Sequence, residues 1–258
     1  MPATFPIIDV NITLGQWPTR RVPCDELPKL VAKLREHNVV EAWAGSYDGL
    51  FHEDLAAVNN RLAADCRAQT DLRLIPFGEI NPLLPNWKAE LDRCADHHRM
   101  LGIRLHPNYH GYALDHPDFS KLLMLAAEKK LIVQLTVLME DDRMMHPLMR
   151  VPPVDLTPLA SIVQQTPGLR LVVLNALKGP RDDMLVRLLN AGEVYCEIAM
   201  LEGAGALEQL VAEVPVEKIL FGSHSPSFYF EAALLKLKES PLPAPHLRAI
   251  THLNAPSK

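Results

Sequence analysis

The sequence is poor in the features that mark membrane-spanning, secreted and nucleic-acid-binding proteins. Its purest apolar runs, "LIVQLTVLM" and "LRLVVLNAL", are far shorter than the roughly 20 residues that span a bilayer. The opening segment "MPATFPIIDV" has no cationic flank before an apolar run, so it does not predict a signal peptide. Lys and Arg are scattered and the formal net charge is -5, which leaves no basic stripe to neutralise phosphates. We therefore expect a cytoplasmic protein with neither a membrane nor a nucleic acid as partner.

Cysteine and the familiar cofactor motifs are scarce as well. The four cysteines lie far apart and form no C-x-x-C pair, which argues against a disulfide framework and against a thiolate zinc site. No G-x-G-x-x-G, P-loop or G-x-S-x-G pattern stands at a strand-to-helix turn. These absences exclude the common nucleotide sites and the serine nucleophile elbow, and we expect no cofactor.

What the sequence does contain is a regular alternation of short β-branched runs with amphipathic stretches of helical period, which predicts βαβ units around a parallel sheet. Eight such units in 258 residues favour an α/β fold of the (β/α)8 TIM-barrel type over a doubly wound sheet. No linker or composition shift divides the chain, so residues 1–258 are predicted to form a single domain. The predicted strands are Ile7–Thr13, Val39–Ser46, Arg73–Asn81, Gly102–Pro107, Leu131–Leu138, Leu169–Leu177, Val194–Leu201 and Lys218–His224.

One connection is unusually long and irregular. The segment "MEDDRMMHPLMRVPP", from Met139 to Pro153, follows the fifth predicted strand, on the face where barrels place their active sites. Long loops on that face are often lids. A surface excursion with a few methionines packed beneath it is the alternative.

The strand ends carry a resemblance to a known family. The segments "IIDVNIT", "LIPFGEINP", "GIRLHP", "LIVQLTV", "LRLVVLNAL", "KILFGSHSP" and "ITHLNA" are similar, in order and over nearly the whole chain, to the amidohydrolase superfamily, in its branch of amidohydrolase-2 and decarboxylase-like proteins. The likeness is strongest at the first strand and at "LFGSHSP", where the family pattern is Phe-Gly-Ser-Asp-x-Pro. The resemblance implies a hydrolase scaffold with its active site at the C-terminal ends of the strands.

The places of the family's metal ligands are substituted in this sequence. The resemblance implies that these places, which the family fills with four histidines and one aspartate, are held here by Asn11, Thr13, Thr136, Asn175 and His224. Neutral amides and hydroxyls are weak ligands for divalent transition metals. We therefore expect the inherited site to lack zinc, and the protein to be independent of metal.

Strand alternation extends the set of residues that face the barrel axis. Side chains two positions apart share a face, so Asp9 is predicted to point inward with Asn11, and Arg104 with His106. A buried arginine needs a counter-charge, and we predict that Glu79 on the adjacent strand supplies it. The polar side chains predicted at the mouth of the barrel are Asn11, Thr13, Asn81, His106, Thr136, Asn175, Glu197 and His224.

This polar density differs from the aliphatic core of an ordinary barrel, although a satisfied network left over from a lost site would also produce it. We predict that His106 and His224 are catalytic, because imidazole serves as acid or base near neutral pH. His224 takes the place that the resemblance gives to the carboxylate that handles the attacking water. The predicted substrate-binding residues are Asn11, Thr13, Asn81, Thr136, Asn175, Glu197 and Arg20.

Arg20 lies in the loop after the first strand, where its guanidinium can bind a substrate carboxylate in two parallel bonds. A solvated surface arginine is the alternative reading of that residue. The predicted function is an amidohydrolase-like hydrolase that is independent of metal and uses lactone, amide or related acid-base chemistry on a small polar, carboxylated molecule. The alternatives are a non-catalytic binding protein on the same barrel and a metal-dependent hydrolase with a site rebuilt from His106, Glu197 and His224. A homodimer is the default assembly for a protein of this kind.

Overall fold

A computed structural model of the protein describes residues 5–178 and 183–256. Its eight parallel strands pair in sequence order. The strands are β1 (Ile7–Leu14), β2 (Val39–Ser46), β3 (Arg73–Glu79), β4 (Gly102–Leu105), β5 (Ile132–Thr136), β6 (Arg170–Leu174), β7 (Glu193–Glu197) and β8 (Ile219–Leu220). The backbone amides of Val10 and Thr13 donate to the carbonyl oxygens of Phe221 and Ser225 at 3.0 and 2.9 Å. These bonds join the first strand to the last and confirm the predicted (β/α)8 barrel.

At least one helix separates each strand from the next. The helices in the described ranges are α1 (Leu27–Glu36), α2 (Asp48–Phe51), α3 (Leu55–Ala68), α4 (Trp87–Asp92), α5 (Pro107–His110), α6 (Pro117–Glu128), α7 (Leu159–Gln164), α8 (Asp183–Leu189), α9 (Ala206–Glu213), α10 (Phe230–Glu239) and α11 (Ala244–Arg248). Single π-helical turns at Arg93–His97 and Ala249–Leu253 extend α4 and α11. The first three residues of the helix predicted after the sixth strand, 180–182, lie outside the described residues.

The helices form because each presents one apolar face to the sheet. In α1, Leu30, Val31 and Leu34 are buried at the spacing of helical turns, and a proline in the first turn fixes the start. In the part of the chain that the structure describes, we find no helix that combines the length and apolarity needed to cross a membrane.

Several strands end earlier than predicted, and the reason is visible in the backbone. Asn175 and His224 each adopt a left-handed conformation, with φ of 58° and 55°, which no ladder of extended strands can continue. After β3, the side chain of Asn81 accepts a hydrogen bond from the amide of Leu83 at 3.0 Å, so a local turn replaces strand pairing. The chain therefore leaves the barrel at the positions where the polar residues stand.

The interior of the barrel is filled by apolar side chains beneath these strand ends. A cluster that includes Val10, Trp43, Phe77, Ile132 and Val172 brings together residues from five strands, and the rings of Trp43 and Phe77 stack at 5.0 Å. This plug is the packed core expected inside a barrel of eight strands. It confines space for a ligand to the C-terminal end.

The predicted alternation on β1 is wrong at one point. The pairing of β1 with β2 shifts register between Asp9 and Ile12, as a bulge does. Val10 consequently packs inside the barrel, and Asp9 does not share the face of Asn11. Its carboxylate accepts bonds from the amides of Ser223 and Asn11 at 3.0 and 3.1 Å, and from the Ser223 hydroxyl. Asp9 thus lies in the seam between the first strand and the segment that follows β8.

Candidate functional site

Seven of the eight polar side chains predicted at the mouth are buried at the C-terminal ends of the strands. Each of the seven is at most 2% exposed. They come from β1, β5 and β7 and from the residues directly after β4, β6 and β8: Asn11, Thr13, His106, Thr136, Asn175, Glu197 and His224. Asn81 is the exception, because its turn carries it to a separate surface cavity beside Trp87. Asn81 is thus separated from the other seven side chains, and its role in substrate binding stays a prediction.

Glu197 is held by a set of N–H donors. Its Oε1 accepts from the Asn175 amide at 2.6 Å and from Asn11 Nδ2 at 3.3 Å, and its Oε2 accepts from the Ala199 amide. Asn11 Nδ2 also donates to Asn175 Oδ1 at 2.9 Å. Burial raises the pKa of Glu197 above its usual value, although these bonds oppose the shift. A Cβ at Gly222 would stand 2.4 Å from Glu197 Oε2, so the absence of a side chain there is what admits the carboxylate.

His224 is fully engaged by its neighbours. Its Nε2 donates to the carbonyl oxygen of Met139 at 2.8 Å, and its Nδ1 lies 3.4 Å from Asn175 Nδ2. A carbonyl only accepts, so the proton must sit on Nε2 and the lone pair on Nδ1. Burial lowers the pKa of His224 to about 4, which keeps the ring neutral at pH 7. In this arrangement neither nitrogen is free to face a substrate, and a catalytic role for His224 stays a prediction.

His106 presents the opposite situation. Neither ring nitrogen has a hydrogen-bond partner in residues 5–178 and 183–256, and the side chain is 1% exposed. Its Nε2 lies 3.2 Å from Glu79 Oε2, within ion-pair distance but outside hydrogen-bond geometry. Glu79 is itself fixed, because its Oε1 accepts from the Ser46 amide at 3.1 Å and Asn59 bonds both its backbone amide and its carbonyl. A rigid carboxylate therefore faces a histidine with unused bonding capacity.

Glu79 supplies counter-charge to Arg104 as predicted, because it is the carboxylate that most raises the pKa of Arg104, although no hydrogen bond or ion pair joins the two side chains in the described residues. Arg104 does point inside the barrel, but its guanidinium donates to Gln134 Oε1 at 2.7 Å and to the carbonyl oxygens of Ile12 and Trp43 at 2.9 and 3.3 Å. Its Nη1 also reaches the Thr13 hydroxyl. Burial lowers the pKa of Arg104 to about 10, so it remains a cation at neutral pH. The guanidinium is thus satisfied by Gln134 and by carbonyl oxygens of β1 and β2, and Glu79 Oε2 faces His106.

Several buried polar atoms at the mouth have no partner. Among the described residues, Thr136 Oγ1, Glu79 Oε2 and both ring nitrogens of His106 make no hydrogen bond. Each buried polar group left in this state costs about 1–3 kcal/mol, and native proteins keep few of them without a reason. These atoms are the features of the site that a small polar ligand would satisfy.

An apolar roof covers the mouth. Trp17, Tyr47, Leu50 and Met139 form one buried cluster, against which Tyr109 and Met149 pack. The ring of Trp17 meets those of Tyr47 and Tyr109 edge to face, with centroids 5.4 and 6.3 Å apart. The roof is built by the loops that follow β1, β2, β4 and β5. Sequence reasoning missed Tyr47, although its position directly after the second predicted strand was a usable signal.

The loop from Met139 to Pro153 combines the two predicted arrangements, a cover over the mouth and an exposed surface segment. Met139 is 2% exposed and belongs to the roof, whereas Leu148 is 92% exposed. Glu140 is anchored by Arg20, whose Nη2 lies 3.1 Å from Glu140 Oε1. Arg20 is thus partly exposed, and no hydrogen bond in the described residues joins it to the seven polar side chains of the mouth. It joins the loop after β1 to the loop after β5.

Comparison with known proteins agrees with this architecture. A family model described as amidohydrolase matches residues 18–256. No curated protein of similar sequence was found. The structure is similar to 2,6-dihydroxybenzoate decarboxylase from Rhizobium, at 12% identity, 97% coverage of both chains and a TM-score of 0.71.

Two further solved structures are similar over nearly their whole length. One is 5-carboxyvanillate decarboxylase from Sphingomonas paucimobilis, at 13% identity, with 97% of this chain and 98% of that chain covered and a TM-score of 0.72. The other is a dihydroxybenzoic acid decarboxylase from Polaromonas sp. JS666 with bound manganese and the inhibitor 2-nitroresorcinol, at 14% identity, 97% and 96% coverage and a TM-score of 0.71. At these identities the likeness shows the fold alone.

The side chains at the mouth do not fit a resident metal ion such as manganese. Asn11 and Asn175 turn N–H groups into the network, and His224 gives its Nε2 proton to a carbonyl, so their lone pairs do not converge on one point. The described ranges contain no group of three or more His, Cys, Asp or Glu side chains placed to hold a metal. His106, Glu197 and His224, the alternative set of metal ligands, do not form such a group in these ranges.

Proposed function

This chain belongs to the amidohydrolase family, and we propose that it is an acid-base enzyme acting on a small carboxylated molecule at the mouth of the barrel. In this proposal His106 transfers the proton and Glu79 orients it. The proposed chemistry is hydrolysis of a lactone or amide, or a related acid-base step, and it proceeds without a resident metal. We also propose that the 258 residues form one domain.

The observation that carries the proposal is the state of His106. A buried imidazole with no hydrogen-bond partner among the described residues stands 3.2 Å from a fixed carboxylate, so that a small turn of the ring completes the hydrogen bond between base and orienter that proton-transfer sites use. With a proton on Nε2 facing Glu79, Nδ1 carries the lone pair. It is then free to take a proton from water that attacks a carbonyl.

Decarboxylation is the related step that the neighbours' chemistry suggests. The similar structures are decarboxylases of dihydroxybenzoate and carboxyvanillate. Loss of CO2 from a carboxylate leaves an electron pair on carbon, which must receive one proton, and a protonated His106 can supply it. Both reactions therefore ask the same residue to move one proton at the same place.

We rank the proposed substrate contacts by whether their polar atoms already make hydrogen bonds within the protein. Thr136 Oγ1 has no partner among the described residues and is the first candidate to bind a polar substrate atom. Asn11, Thr13, Asn175 and Glu197 already bond to one another or to Arg104, so we propose that they shape the floor of the site. The proposed independence from metal rests on the chemistry of these side chains, since Asn11 and Asn175 turn N–H groups into the network and the Nε2 proton of His224 faces a carbonyl.

The test is turnover by a single variant. Wild type and His106→Asn are assayed on a panel of lactones, amides and 2,6-dihydroxybenzoate, with the same substitution at an exposed histidine, His52→Asn, as a matched control. Loss of a positioned proton-transfer group is expected to lower kcat by roughly 100-fold to 10,000-fold with little change in KM. The control should keep wild-type kinetics. Equal turnover by wild type and His106→Asn would remove His106 from the mechanism.

A binding protein without catalysis is the second candidate, and one observation favours it. His224, Asn11 and Asn175 satisfy one another, as in a network kept for structure. If a panel compound raises the melting temperature of wild type and His106→Asn alike, with no product formed, this second function replaces the first.

A further inference from the structure

The ion pair between Arg20 and Glu140 joins two loops at the roof of the barrel. Arg20 follows β1 and Glu140 follows β5, and Arg20 Nη2 lies 3.1 Å from Glu140 Oε1. The Glu140 side chain is only 2% exposed, whereas that of Arg20 is 30% exposed. A buried carboxylate is therefore held by an arginine that water still reaches.

The pair is incomplete on both sides. Arg20 Nε and Glu140 Oε2 are buried and have no hydrogen-bond partner within the described residues. Two neighbouring arginines behave differently: Arg21 binds Asp25 through Nε at 2.5 Å and Nη2 at 2.7 Å. Arg143 binds both carboxylate oxygens of Asp141, at 2.8 and 2.7 Å. Two nearby arginines thus bind a carboxylate through two bonds, whereas Arg20 and Glu140 share one.

The position of Glu140 connects it to the mouth of the barrel. The preceding residue, Met139, packs with Trp17 and Tyr47 in the roof, and its carbonyl oxygen accepts the Nε2 proton of His224. Burial raises the pKa of Glu140, although its bond to Arg20 opposes the shift. Glu140 is therefore held by Arg20 directly beside a residue of the roof.

We infer that Arg20 is the carboxylate-recognition residue of this site and that Glu140 is an internal stand-in for the carboxylate of the ligand. A small monocarboxylate with a flat apolar body binds Arg20 through Nε and Nη2 together, displaces Glu140, and places its body against the edges of the roof rings. The gain is one hydrogen bond more than Glu140 makes, since a guanidinium and a carboxylate match in two parallel bonds. The inference deepens the proposed function by naming its substrate class and the residue that selects it.

The test measures binding of benzoate and of its neutral analogue benzamide by calorimetry, with the full-length protein. Glu140→Gln removes the competing charge, and we expect benzoate to bind at least about 10-fold more tightly than to wild type. Arg20→Gln is expected to lose benzoate affinity by a similar factor, and Arg20→Lys part of it, with benzamide affinity unchanged in all variants. The matched controls are Arg21→Gln and Asp141→Asn, which alter the two-bond pairs Arg21–Asp25 and Arg143–Asp141.

Three results would overturn the inference: benzoate affinity unchanged in Arg20→Gln, affinity unchanged or weaker in Glu140→Gln, or no benzoate binding to either wild type or Glu140→Gln at millimolar concentration. Melting curves of every variant establish that each is folded. Failure of the proposed function is a separate outcome. Benzoate binding with the expected variant pattern but no turnover of any panel compound would leave Arg20 and Glu140 in these roles and remove His106 from catalysis.

Discussion

His224→Asn measures how much a protonated imidazole destabilises the folded protein when it is buried at the mouth of the barrel. The folded-state pKa of His224 is about 4, compared with 6.5 for a free imidazole, and the cause is burial. Between these two pH values the unfolded chain binds a proton that the folded chain excludes, so stability rises with pH. The contribution of His224 is complete above about pH 6.5 and is lost as the pH falls towards 4.

The size of the effect follows from the same two values. A gap from 6.5 to about 4 corresponds to about 3 kcal/mol, at about 1.4 kcal/mol for each pKa unit. The side chain is 1% exposed, so solvent does little to screen it. Total stabilities of domains are about 5–15 kcal/mol, which makes this one imidazole a large part of the acid sensitivity of the fold.

The assay is urea unfolding of wild type and His224→Asn between pH 4 and 7.5. Asn suits the left-handed backbone at this position and can still accept from Asn175. At pH 7 the variant is expected to be less stable, because the bond to the Met139 carbonyl is lost. Between pH 7 and pH 4, the unfolding free energy of the variant relative to wild type should increase by about 3 kcal/mol. The exposed His52→Asn should show no such change. A stability difference that is the same at every pH would refute the reasoning.

The other predictions concern a second buried acid and the unpartnered hydroxyl. Burial raises the pKa of Asp9 from 3.8 to about 7, so the folded form prefers the proton and stability is lost as the pH rises from about 4 to 7. The unfolding free energy of Asp9→Asn relative to wild type should therefore increase by a few kcal/mol between pH 5 and pH 8. A relative decrease would contradict this. Thr136→Val replaces a buried hydroxyl that lacks a partner. Its melting temperature should equal or exceed that of wild type while affinity for a panel ligand falls, and a lower melting temperature with unchanged affinity would show that the hydroxyl is structural.

The fold was predictable because its signal is repeated eight times. Each strand-and-helix unit has its own periodic pattern of apolar residues. Gly102 and Leu135, for example, lie in strands that this pattern predicts correctly. The residues of the mouth could be named for a related reason, since the C-terminal ends of barrel strands converge on one face. His106 and Thr136 are examples, and both are buried there.

The partners of these residues were not predictable from the sequence. A register shift on β1 between Asp9 and Ile12 takes Asp9 off the face of Asn11, and alternation has no means of detecting such a bulge. Arg104 bonds to the Ile12 carbonyl rather than to a carboxylate, and no sequence pattern indicates that partner. The contact between Arg20 and Glu140 joins two loops 120 positions apart, and no local pattern encodes such a meeting.

The central claim is that this barrel moves protons without a resident metal, and the most direct test is the turnover of metal-depleted wild-type protein. The protein is dialysed against a chelator, its manganese, zinc and iron are measured by elemental analysis, and kcat is determined on the panel compound that untreated protein converts fastest. The account predicts well under one equivalent of metal before treatment, and the same kcat and melting temperature afterwards, because a ligand lost from the folded state alone would lower stability. Activity that disappears on chelation and returns with added manganese would contradict it.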